Sequence, residues 1–435
     1  MDKLKTLFYE KANVAIAEIK PFLKEYDSTI IDQVTIGQVF GGMRDIKSML
    51  WETSLLDAQE GIRFRGFTIP ELQVTLPSRG GEPLPEGLFW LMLTGEMPNE
   101  ADVNWLSDEW ERRRQIPEQT WWTLDSLDPK MHPMTQLGIG VLSLQGKSNF
   151  SRRYSEGMNK KDYWDATYED AMDLIACLPQ VAAYIYRRSF YNNDQIAPDN
   201  SLDWAGNYAH MLGVTSDENF KSLMRLYMTI HADHEGGNAS AHAVHLAGST
   251  LSDVYYAFVS GINALAGPLH GLANQEVIKW IFEMTKTLGT TKPTLEQIEK
   301  FITNTLAEGK IIPGYGHAVL RKPDPRFMAQ KAFAEKYMPD DDYVNIVWKV
   351  FEVAPKVLGS LGKVSNPWPN VDAHSGSILV HYGMKEYNYY TVMFAVSRAL
   401  GVLASTCWSR IMALPLERPK SLTYEWMKKW VEARK

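Results

Sequence analysis

The sequence contains little cysteine and no excess of basic residues, and both features exclude classes of function. Only two cysteines, Cys177 and Cys407, occur in 435 residues, and they lack the spacing of metal ligands. Both lie in apolar helical stretches, so we expect buried, reduced thiols in a reducing compartment rather than a disulfide. A net charge of −7 argues against a nucleic-acid partner, which requires a basic face. An anionic substrate must therefore be attracted by arginines placed near it rather than by the overall field.

The sequence also lacks a long, uninterrupted apolar run, so we expect no membrane span. Residues 236–275 carry a single formal charge, Asp253, but Gly, Asn, His and Pro interrupt every apolar run, which indicates a central buried helix pair. The first residues lack the apolar core of a signal peptide, and Asp2, Glu10 and Glu18 are unlike a transit peptide. Any targeting sequence is therefore expected to be cleaved or never present.

Alternating strand patterns are scarce, and helical periodicity dominates. The best strand candidate, residues 62–68, is short and bounded by glycine. An all-α fold is predicted, without internal repeats, low-complexity tracts or a long linker. A chain of this length exceeds one comfortable core, so two domains are expected. An opening helix kinks or ends near Pro21, and further helices are predicted at roughly 85–94, 100–114, 166–188, 218–232, 251–265, 272–287, 294–307, 327–337, 342–358, 388–413 and 421–433.

Three loops rich in glycine, proline and histidine carry most of the chemical information. The first, residues 312–326, places His317 among glycines and ahead of Arg321, Lys322 and Arg326. An imidazole beside guanidinium groups suits a carboxylate or polyanionic ligand whose reacting oxygen must be protonated. The alternative is a surface loop with an exposed histidine and solvated arginines.

The other two loops supply a second histidine and a carboxylate. Residues 267–276 place His270 at or just before a helix N-terminus, where the helix dipole disfavours imidazolium. Such a neutral imidazole can donate to a developing oxyanion, although a simple helix cap is the alternative. Residues 366–376 bring Asp372 on a stiff Pro-Trp-Pro approach, either as a carboxylate base or as an N-cap. Together the loops could remove a proton beside a carbonyl and stabilise the enolate.

A metal site is the rival interpretation of the histidine-rich stretch at residues 231–245. His234, Asn238, His242 and His245 share a helical face only if the helix is continuous, and two adjacent glycines interrupt it. Asn238 also stands where the zincin motif requires its second histidine, and no cysteine lies close by. We therefore expect no metal, and we assign His242 and His245 to polar gaps in a helix core.

The loop at residues 314–326 and several other segments resemble the motifs of citrate synthase, in particular of the eukaryotic mitochondrial type. The resemblance runs from about residue 34 to about residue 420. It implies an all-α fold in which residues 1–272 and 384–435 form a large domain, residues 273–383 form a smaller inserted domain, and the active site lies between them. It also implies a homodimer in the mitochondrial matrix with sites shared between chains. The matching segments are residues 60–66, 86–95, 234–238, 267–276, 366–376 and 416–420.

The activity implied by the resemblance is condensation of acetyl-CoA with oxaloacetate and water to citrate and coenzyme A, the first step of the tricarboxylic acid cycle. Asp372 would remove the methyl proton, His270 would donate to the thioester oxygen, and His317 would protonate the ketone. The coenzyme A thioester is a substrate, so no cofactor is implied. A 2-methylcitrate synthase acting on propionyl-CoA is the alternative, because one methylene is worth only about 1–3 kcal/mol in a pocket. A non-catalytic helical scaffold is a further alternative, against which all the motif residues argue.

The resemblance also implies two sets of binding residues. Arginine forks suit the two carboxylates of oxaloacetate. Ser365 stands where relatives have a second lysine, so one phosphate contact is expected to be missing or supplied elsewhere. For oxaloacetate the set is His234, Asn238, Arg326, Phe394 and Arg398, with Arg418 reaching in from the partner chain; for coenzyme A it is Arg44, Arg152, Ile311, Gly314, Tyr315, Arg321, Lys363 and Asn370.

Overall fold

The computed structural model describes residues 2–362 and 366–434, and within them helices dominate. Five short strands make one three-stranded antiparallel sheet and one hairpin. The prediction of an all-α fold is confirmed. The helices are α1 (Lys3–Tyr26), α2 (Ile36–Phe40), α3 (Ile69–Thr75), α4 (Pro85–Thr94), α5 (Glu100–Arg113), α6 (Glu118–Asp125), α7 (Pro133–Ser143), α8 (Asn149–Ser155), α9 (Tyr163–Phe190), α10 (Trp204–Leu212), α11 (Glu218–Ile230), α12 (Ala239–Ser249), α13 (Val254–Leu265), α14 (Ala273–Leu288), α15 (Leu295–Ala307), α16 (Pro325–Tyr337), α17 (Asp342–Ser360), α18 (Asp372–His381), α19 (Tyr390–Ile411) and α20 (Tyr424–Glu432). The strands are β1 (Ser54–Asp57), β2 (Gly61–Phe64), β3 (Phe67–Thr68), β4 (Ser78–Arg79) and β5 (Glu82–Pro83).

Local signals explain why many predicted helix bounds agree with the structure. The side chain of Asn99 accepts from the backbone N–H of Asp102, and the carboxylate of Asp102 accepts from the backbone N–H of Asn99. This capping box begins α5. Gly95 and Gly289 adopt left-handed conformations that end α4 and α14. These caps satisfy backbone groups that the helix itself leaves unpaired, so a short sequence pattern is enough to place them.

The centre of the protein is built from α9 and α19, which pack along each other. The stretch Tyr387–Ile411 is long and apolar enough to cross a membrane by length and composition, but its apolar window is wholly buried in the fold. It is therefore a core helix, and Arg398 lies buried on it.

Four local predictions need correction. Pro21 lies inside α1, which continues to Tyr26. The strand pattern of residues 62–68 is split into β2 and β3 by a turn. α18 begins at Asp372 rather than near residue 378. The helix pair within residues 236–275 exists as α12 and α13, but α12 is only partly buried in this chain.

Helices α14 to α18 pack mainly on one another, and α16 also contacts α3 and α11. This grouping brings the loops before α14, α16 and α18 towards the same region. The domain boundaries at residues 273 and 383 stay a prediction.

Both ends of the chain expose large apolar side chains. Between α1 and β1 they include Ile30, Ile31 and Phe40, and near the C-terminus they include Trp426 and Trp430. Segments of this composition are typical of surfaces that are covered in an assembly.

Candidate active site

Two buried arginines mark the point where the three predicted loops meet. Arg326 near the start of α16 and Arg398 in α19 are each 3% exposed. The positive charge of Arg326 acts on His317 and Asp372, and that of Arg398 acts on His270 and Asp372. Arg398 Nη1 also lies 3.5 Å from Ser240 Oγ, which contacts His270. Because charges inside a protein act mainly over short distances, all three predicted catalytic residues lie near this pair of guanidinium groups.

Asp372 has the properties of a base rather than of a helix cap. It is the first residue of α18, preceded by Val371 at the N-cap, and its carboxylate makes no capping bond. The side chain is buried and its Oδ1 has no hydrogen-bond partner. Burial raises the pKa of Asp372 to about 7, against the opposing effect of Arg326. The carboxylate is therefore basic and has no competing protein donor at Oδ1.

His270 is held as a neutral donor by Ser240. The backbone N–H of Ser240 donates to His270 Nε2 at 3.2 Å, and the Ser240 hydroxyl lies 2.9 Å from the same nitrogen. Since a backbone N–H can only donate, Nε2 is unprotonated and the ring proton lies on Nδ1. Burial and then Arg398 lower the pKa of His270 to about 4. Burial and a nearby cation thus favour the neutral imidazole that the sequence predicts.

His317 carries the opposite tautomer. Its Nδ1 accepts the backbone N–H groups of Val319 at 3.0 Å and Leu320 at 3.1 Å, so the proton lies on Nε2. Burial and then Arg326 lower the pKa of His317 to about 4. The ring packs edge-on against that of His234, with 5.3 Å between centroids. The imidazole is part-buried, so the alternative of a freely exposed histidine is wrong.

Arg398 is fixed by polar groups rather than by a direct ion pair, and the carboxylates of Asp233 and Asp372 act on its charge from beyond ion-pair distance. Its Nη1 donates to Asn238 Oδ1 at 2.9 Å and its Nε to the carbonyl of His231 at 3.2 Å. Its guanidinium carbon lies 4.8 Å from the centroid of Phe394. Among the described residues, no carboxylate lies within ion-pair distance of Arg398. A buried cation without a direct ion pair suits an anionic ligand.

Asn238 has a clear structural role beside its predicted ligand role. Its Oδ1 caps α12 by accepting from Ala241 N at 3.1 Å, and its amide nitrogen donates to the carbonyl of Glu235 at 2.6 Å. It therefore holds Arg398 and the start of α12 together.

Arg326 has a bidentate partner that the motif analysis missed. Asp324 is fully buried and accepts from Arg326 Nε at 3.0 Å and from Nη2 at 2.7 Å. Burial disfavours the charge of Asp324, but Arg326 outweighs it and lowers the Asp324 pKa. This fork orients Arg326 while leaving Nη1 outside the pair.

His234 is near both arginines, whose charges act on its ring, and one of its ring nitrogens is unused. The residue is buried and its Nε2 has no partner in the described chain. Burial and then Arg326 hold the pKa of His234 well below its usual range, so the ring is neutral. A neutral, unpartnered imidazole beside two cations suits a carboxylate or carbonyl ligand.

Two loops of the predicted coenzyme A set are joined next to Asp372. Asn370 N donates to the carbonyl of Gly314 at 2.9 Å, and Asn370 Nδ2 donates to that of Gly316 at 3.2 Å. Gly314 has φ +77°, and a Cβ there would lie 2.8 Å from the Cα of Ala373. A glycine is therefore required for the loop of His317 to approach α18 this closely.

The remaining coenzyme A candidates differ in how they are placed. Tyr315 is half-buried and forms an isolated β-bridge with Pro369. Ile311 and Arg321 are exposed on the same loop as His317. Arg321 donates to three neighbouring carbonyls, those of residues 318–320, at 2.8–3.1 Å. Ile311 and Arg321 therefore lie on the exposed part of the loop, whereas the Tyr315 hydroxyl is buried and has no hydrogen-bond partner among the described residues.

Three other predicted ligands make no contact with these site residues within the described chain. Arg152 is exposed on α8 and pairs with Glu156 at 3.1 Å. Arg44 and Arg418 are exposed on the segments that flank the fold. Lys363, like Ser365, lies outside the described residues.

The histidine-rich stretch is divided as its two glycines predict, and Asn238 caps α12. The assignment of His242 and His245 to a helix core is wrong, because both face Glu417 near the surface. Nε2 of His242 lies 2.8 Å from Glu417 Oε1, and Nε2 of His245 lies 3.9 Å from Oε2. Within residues 2–362 and 366–434, no cluster of three histidine, cysteine or acidic side chains has metal-binding geometry.

Sequence reasoning missed Ser240 and Asp324, which orient His270 and Arg326. Ser240 lies two residues after the recognised segment 234–238, and Asp324 lies between two prolines inside the recognised segment 314–326. Their proximity to recognised residues was the available signal, but neither local pattern states which side chain they contact.

The arrangement can perform enolate chemistry. It contains one basic carboxylate, two neutral imidazoles with defined and opposite tautomers, and two arginines for a dianionic ligand. Donors placed where negative charge develops stabilise an oxyanion without needing a metal or a net positive group.

Comparisons with known proteins identify the family and the fold. The family model "Citrate synthase, C-terminal domain" matches residues 42–420. Citrate synthase from Pyrobaculum aerophilum has 25% identity and a TM-score of 0.79 over 91% of this chain and 97% of that one. The Thermotoga maritima MSB8 enzyme has 22% identity and a TM-score of 0.72, covering 90% and 96% of the two chains.

A third citrate synthase, from Thermoplasma acidophilum, was solved as a ternary complex with carboxymethyl coenzyme A and oxaloacetate. It has 23% identity and a TM-score of 0.74, and the match covers 90% of this chain and 96% of that one. The two structures under 25% identity establish the shared fold, and the family model covers most of the sequence. The chain therefore belongs to the citrate synthase family of transferases.

Proposed function

We propose that this protein condenses acetyl-CoA with oxaloacetate and water to give citrate and free coenzyme A. The observation that carries the proposal is the Asp372 carboxylate, which is buried, unpartnered at Oδ1 and made basic by burial. A thioester methyl group is a weak carbon acid, so a base of raised pKa and an oxyanion donor are both needed to remove its proton.

In the first step, Asp372 accepts a methyl proton of acetyl-CoA while the thioester carbonyl becomes an enol or enolate. His270 is suited to stabilise that oxygen, because Ser240 occupies Nε2 and leaves the Nδ1 proton to donate. A neutral donor is sufficient, because its proton need only be shared with the oxygen as charge develops.

In the second step, the enol carbon attacks the ketone of oxaloacetate, and the ketone oxygen becomes the hydroxyl of a citryl thioester. His317 is suited to protonate that oxygen through Nε2, since its Nδ1 accepts two backbone N–H groups. Arg326 and Arg398 would hold the two carboxylates of oxaloacetate, with His234 beside them. Water then cleaves the thioester to release citrate and coenzyme A.

We further propose a homodimer in which Arg418 completes the oxaloacetate site of the partner chain. Arg418 is exposed and, within the described residues, no carboxylate lies within ion-pair distance of it. The exposed apolar side chains near both ends of the chain, such as Phe40 and Trp430, favour a second copy as their cover. Localisation in the mitochondrial matrix, without cofactor or resident metal, remains part of the same proposal through the sequence resemblance.

The test is release of free thiol from acetyl-CoA, with propionyl-CoA assayed in parallel and oxaloacetate omitted as the control. We expect thiol release that requires oxaloacetate and a higher kcat/KM for acetyl-CoA. A higher kcat/KM for propionyl-CoA would identify a 2-methylcitrate synthase instead. No thiol from either thioester would contradict both reactions and favour a non-catalytic scaffold.

A further inference from the structure

We infer that residues 49–56, here called the strap, belong to the oxaloacetate site as positioning residues. The strap acts through the carboxylate of Asp233, which fixes the neighbouring His234. This inference rests on the proposed function and adds to it a set of residues that do not touch the substrate.

The carboxylate of Asp233 is fully buried and is saturated by hydrogen bonds. Its Oδ2 accepts from Trp51 Nε1 at 3.0 Å, from Thr53 Oγ1 at 2.8 Å and from Ser54 Oγ at 2.8 Å. Its Oδ1 accepts the backbone N–H of His234 at 2.9 Å. Four donors fix both the position and the plane of the carboxylate, and the backbone of His234 is fixed with it.

The strap also holds the residue on the other side of His234. The backbone N–H of Glu235 donates to Ser54 Oγ at 3.0 Å, and Glu235 Oε2 accepts from Leu56 N at 3.1 Å. Glu235 has φ +54°, a conformation that a non-glycine residue keeps only where its surroundings impose it. His234 is thus restrained on both sides, while its Nε2 has no partner in the described chain and the charges of Arg326 and Arg398 act on its ring.

Close packing leaves this loop no space to shift. A Cβ on Gly236 would lie 2.5 Å from Met49 Sδ, which belongs to the strap. A Cβ on Gly401 would lie 2.4 Å from the Cβ of Asp233. The loop is therefore clamped between the strap and α19, and α19 also carries Arg398. The contact between Gly401 of α19 and Asp233 therefore sets the position of His234 relative to Arg398.

Thr53→Val is the sharpest test, because it replaces one hydroxyl donor to Asp233 by a methyl group of nearly equal size. Thr53→Ser keeps the hydroxyl and is the rescue variant. Thr120→Val is the matched control, since Thr120 is also fully buried and its hydroxyl accepts from Ser143 at 3.0 Å on helices α6 and α7. Trp51→Phe removes a second donor at a partly exposed position.

In Thr53→Val and Trp51→Phe we expect the KM and the calorimetric Kd for oxaloacetate to rise about tenfold, because a misplacement of 1 Å can cost on the order of 100-fold. In the same two variants, the KM for acetyl-CoA at saturating oxaloacetate should stay at the wild-type value. In Thr53→Ser and Thr120→Val, the KM and the Kd for oxaloacetate should both stay at wild-type values. A purely structural role would lower the Tm and leave the oxaloacetate constants unchanged, and that result would overturn the inference.

The two readouts also separate this inference from the proposed reaction. A wild-type protein that binds oxaloacetate but releases no thiol contradicts the reaction, while the binding titration still measures the effect of the strap. Conversely, normal turnover in the wild type together with wild-type oxaloacetate affinity in both strap variants contradicts the strap alone.

Discussion

Replacing Asp372 by asparagine should separate turnover from stability, because the same carboxyl group affects them in opposite directions. The carboxylate is buried without a partner at Oδ1, and burial raises its pKa from 3.8 to about 7. Ionising Asp372 therefore costs more free energy in the native protein than in the unfolded chain. Asparagine keeps nearly the same shape, removes the base and leaves Arg326 and Arg398 in place to bind oxaloacetate.

The magnitude follows from the pKa. The change from 3.8 to about 7 spans about three units, and at about 1.36 kcal/mol per unit this corresponds to roughly 4 kcal/mol. Between these pH values the native protein holds a proton that the unfolded chain has released, so wild-type stability falls as the pH rises through this window. Asp372→Asn should therefore be more stable than wild type by up to roughly 4 kcal/mol above pH 7. The difference should vanish below the unfolded pKa, where the carboxyl is neutral in both states.

Urea unfolding at pH 4, 6 and 8, at one protein concentration, measures the stability difference. Thiol release should fall roughly 10²–10⁴-fold, the scale for a general base, while calorimetry should show unchanged oxaloacetate binding. Asp108→Asn, which neutralises an exposed carboxylate on α5, is the matched control. A near wild-type kcat would show that Asp372 is not the base. A variant less stable than wild type at pH 8 would refute the reasoning from its buried charge.

Four further outcomes are expected. The kcat/KM for acetyl-CoA should rise with pH through about 7, because Asp372 must be ionised. His270 and His317, with pKa values of about 4, stay neutral over this range. A rise in kcat/KM near pH 4 instead would contradict this assignment. Acetyl-CoA should bind more tightly in calorimetric titrations when an oxaloacetate mimic is present, since closure around oxaloacetate is expected to complete the coenzyme A site, and equal affinities would reject ordered binding. Dissociating and reassociating a mixture of Asp372→Ala and Arg418→Ala chains should restore thiol release. If each site takes Arg418 from the partner chain, one site of every mixed dimer holds neither defect. Activity no higher than that of the separate variants would place Arg418 in its own chain's site. Gly401→Ala should destabilise the protein by about 1–3 kcal/mol through overpacking against Asp233 and weaken oxaloacetate binding, whereas Gly359→Ala on α17, with open space beside it, should do neither.

The sequence was sufficient for the features that depend on neighbours along the chain. Apolar periodicity and terminal caps predicted helices such as α4 and α15 within a residue of their observed bounds, because both signals are local. The glycine, proline and histidine loops indicated the proposed chemistry for the same reason, since residue type and backbone freedom depend on consecutive positions in the sequence. Pro21 shows the limit, because its helix continues where the local signal predicted a kink or an end.

Only the tertiary structure decided how those residues are prepared for chemistry. The support for a base rather than a cap at Asp372 comes from burial, and the tautomer of His270 comes from Ser240, 30 residues away. Asp233 obtains its donors from a strap about 180 residues earlier in the chain. Burial and hydrogen bonding depend on which atoms meet in space, and a residue's neighbours in sequence do not specify those meetings. The sequence therefore determined which reactive groups the protein has, and the fold determined their protonation, their orientation and their partners.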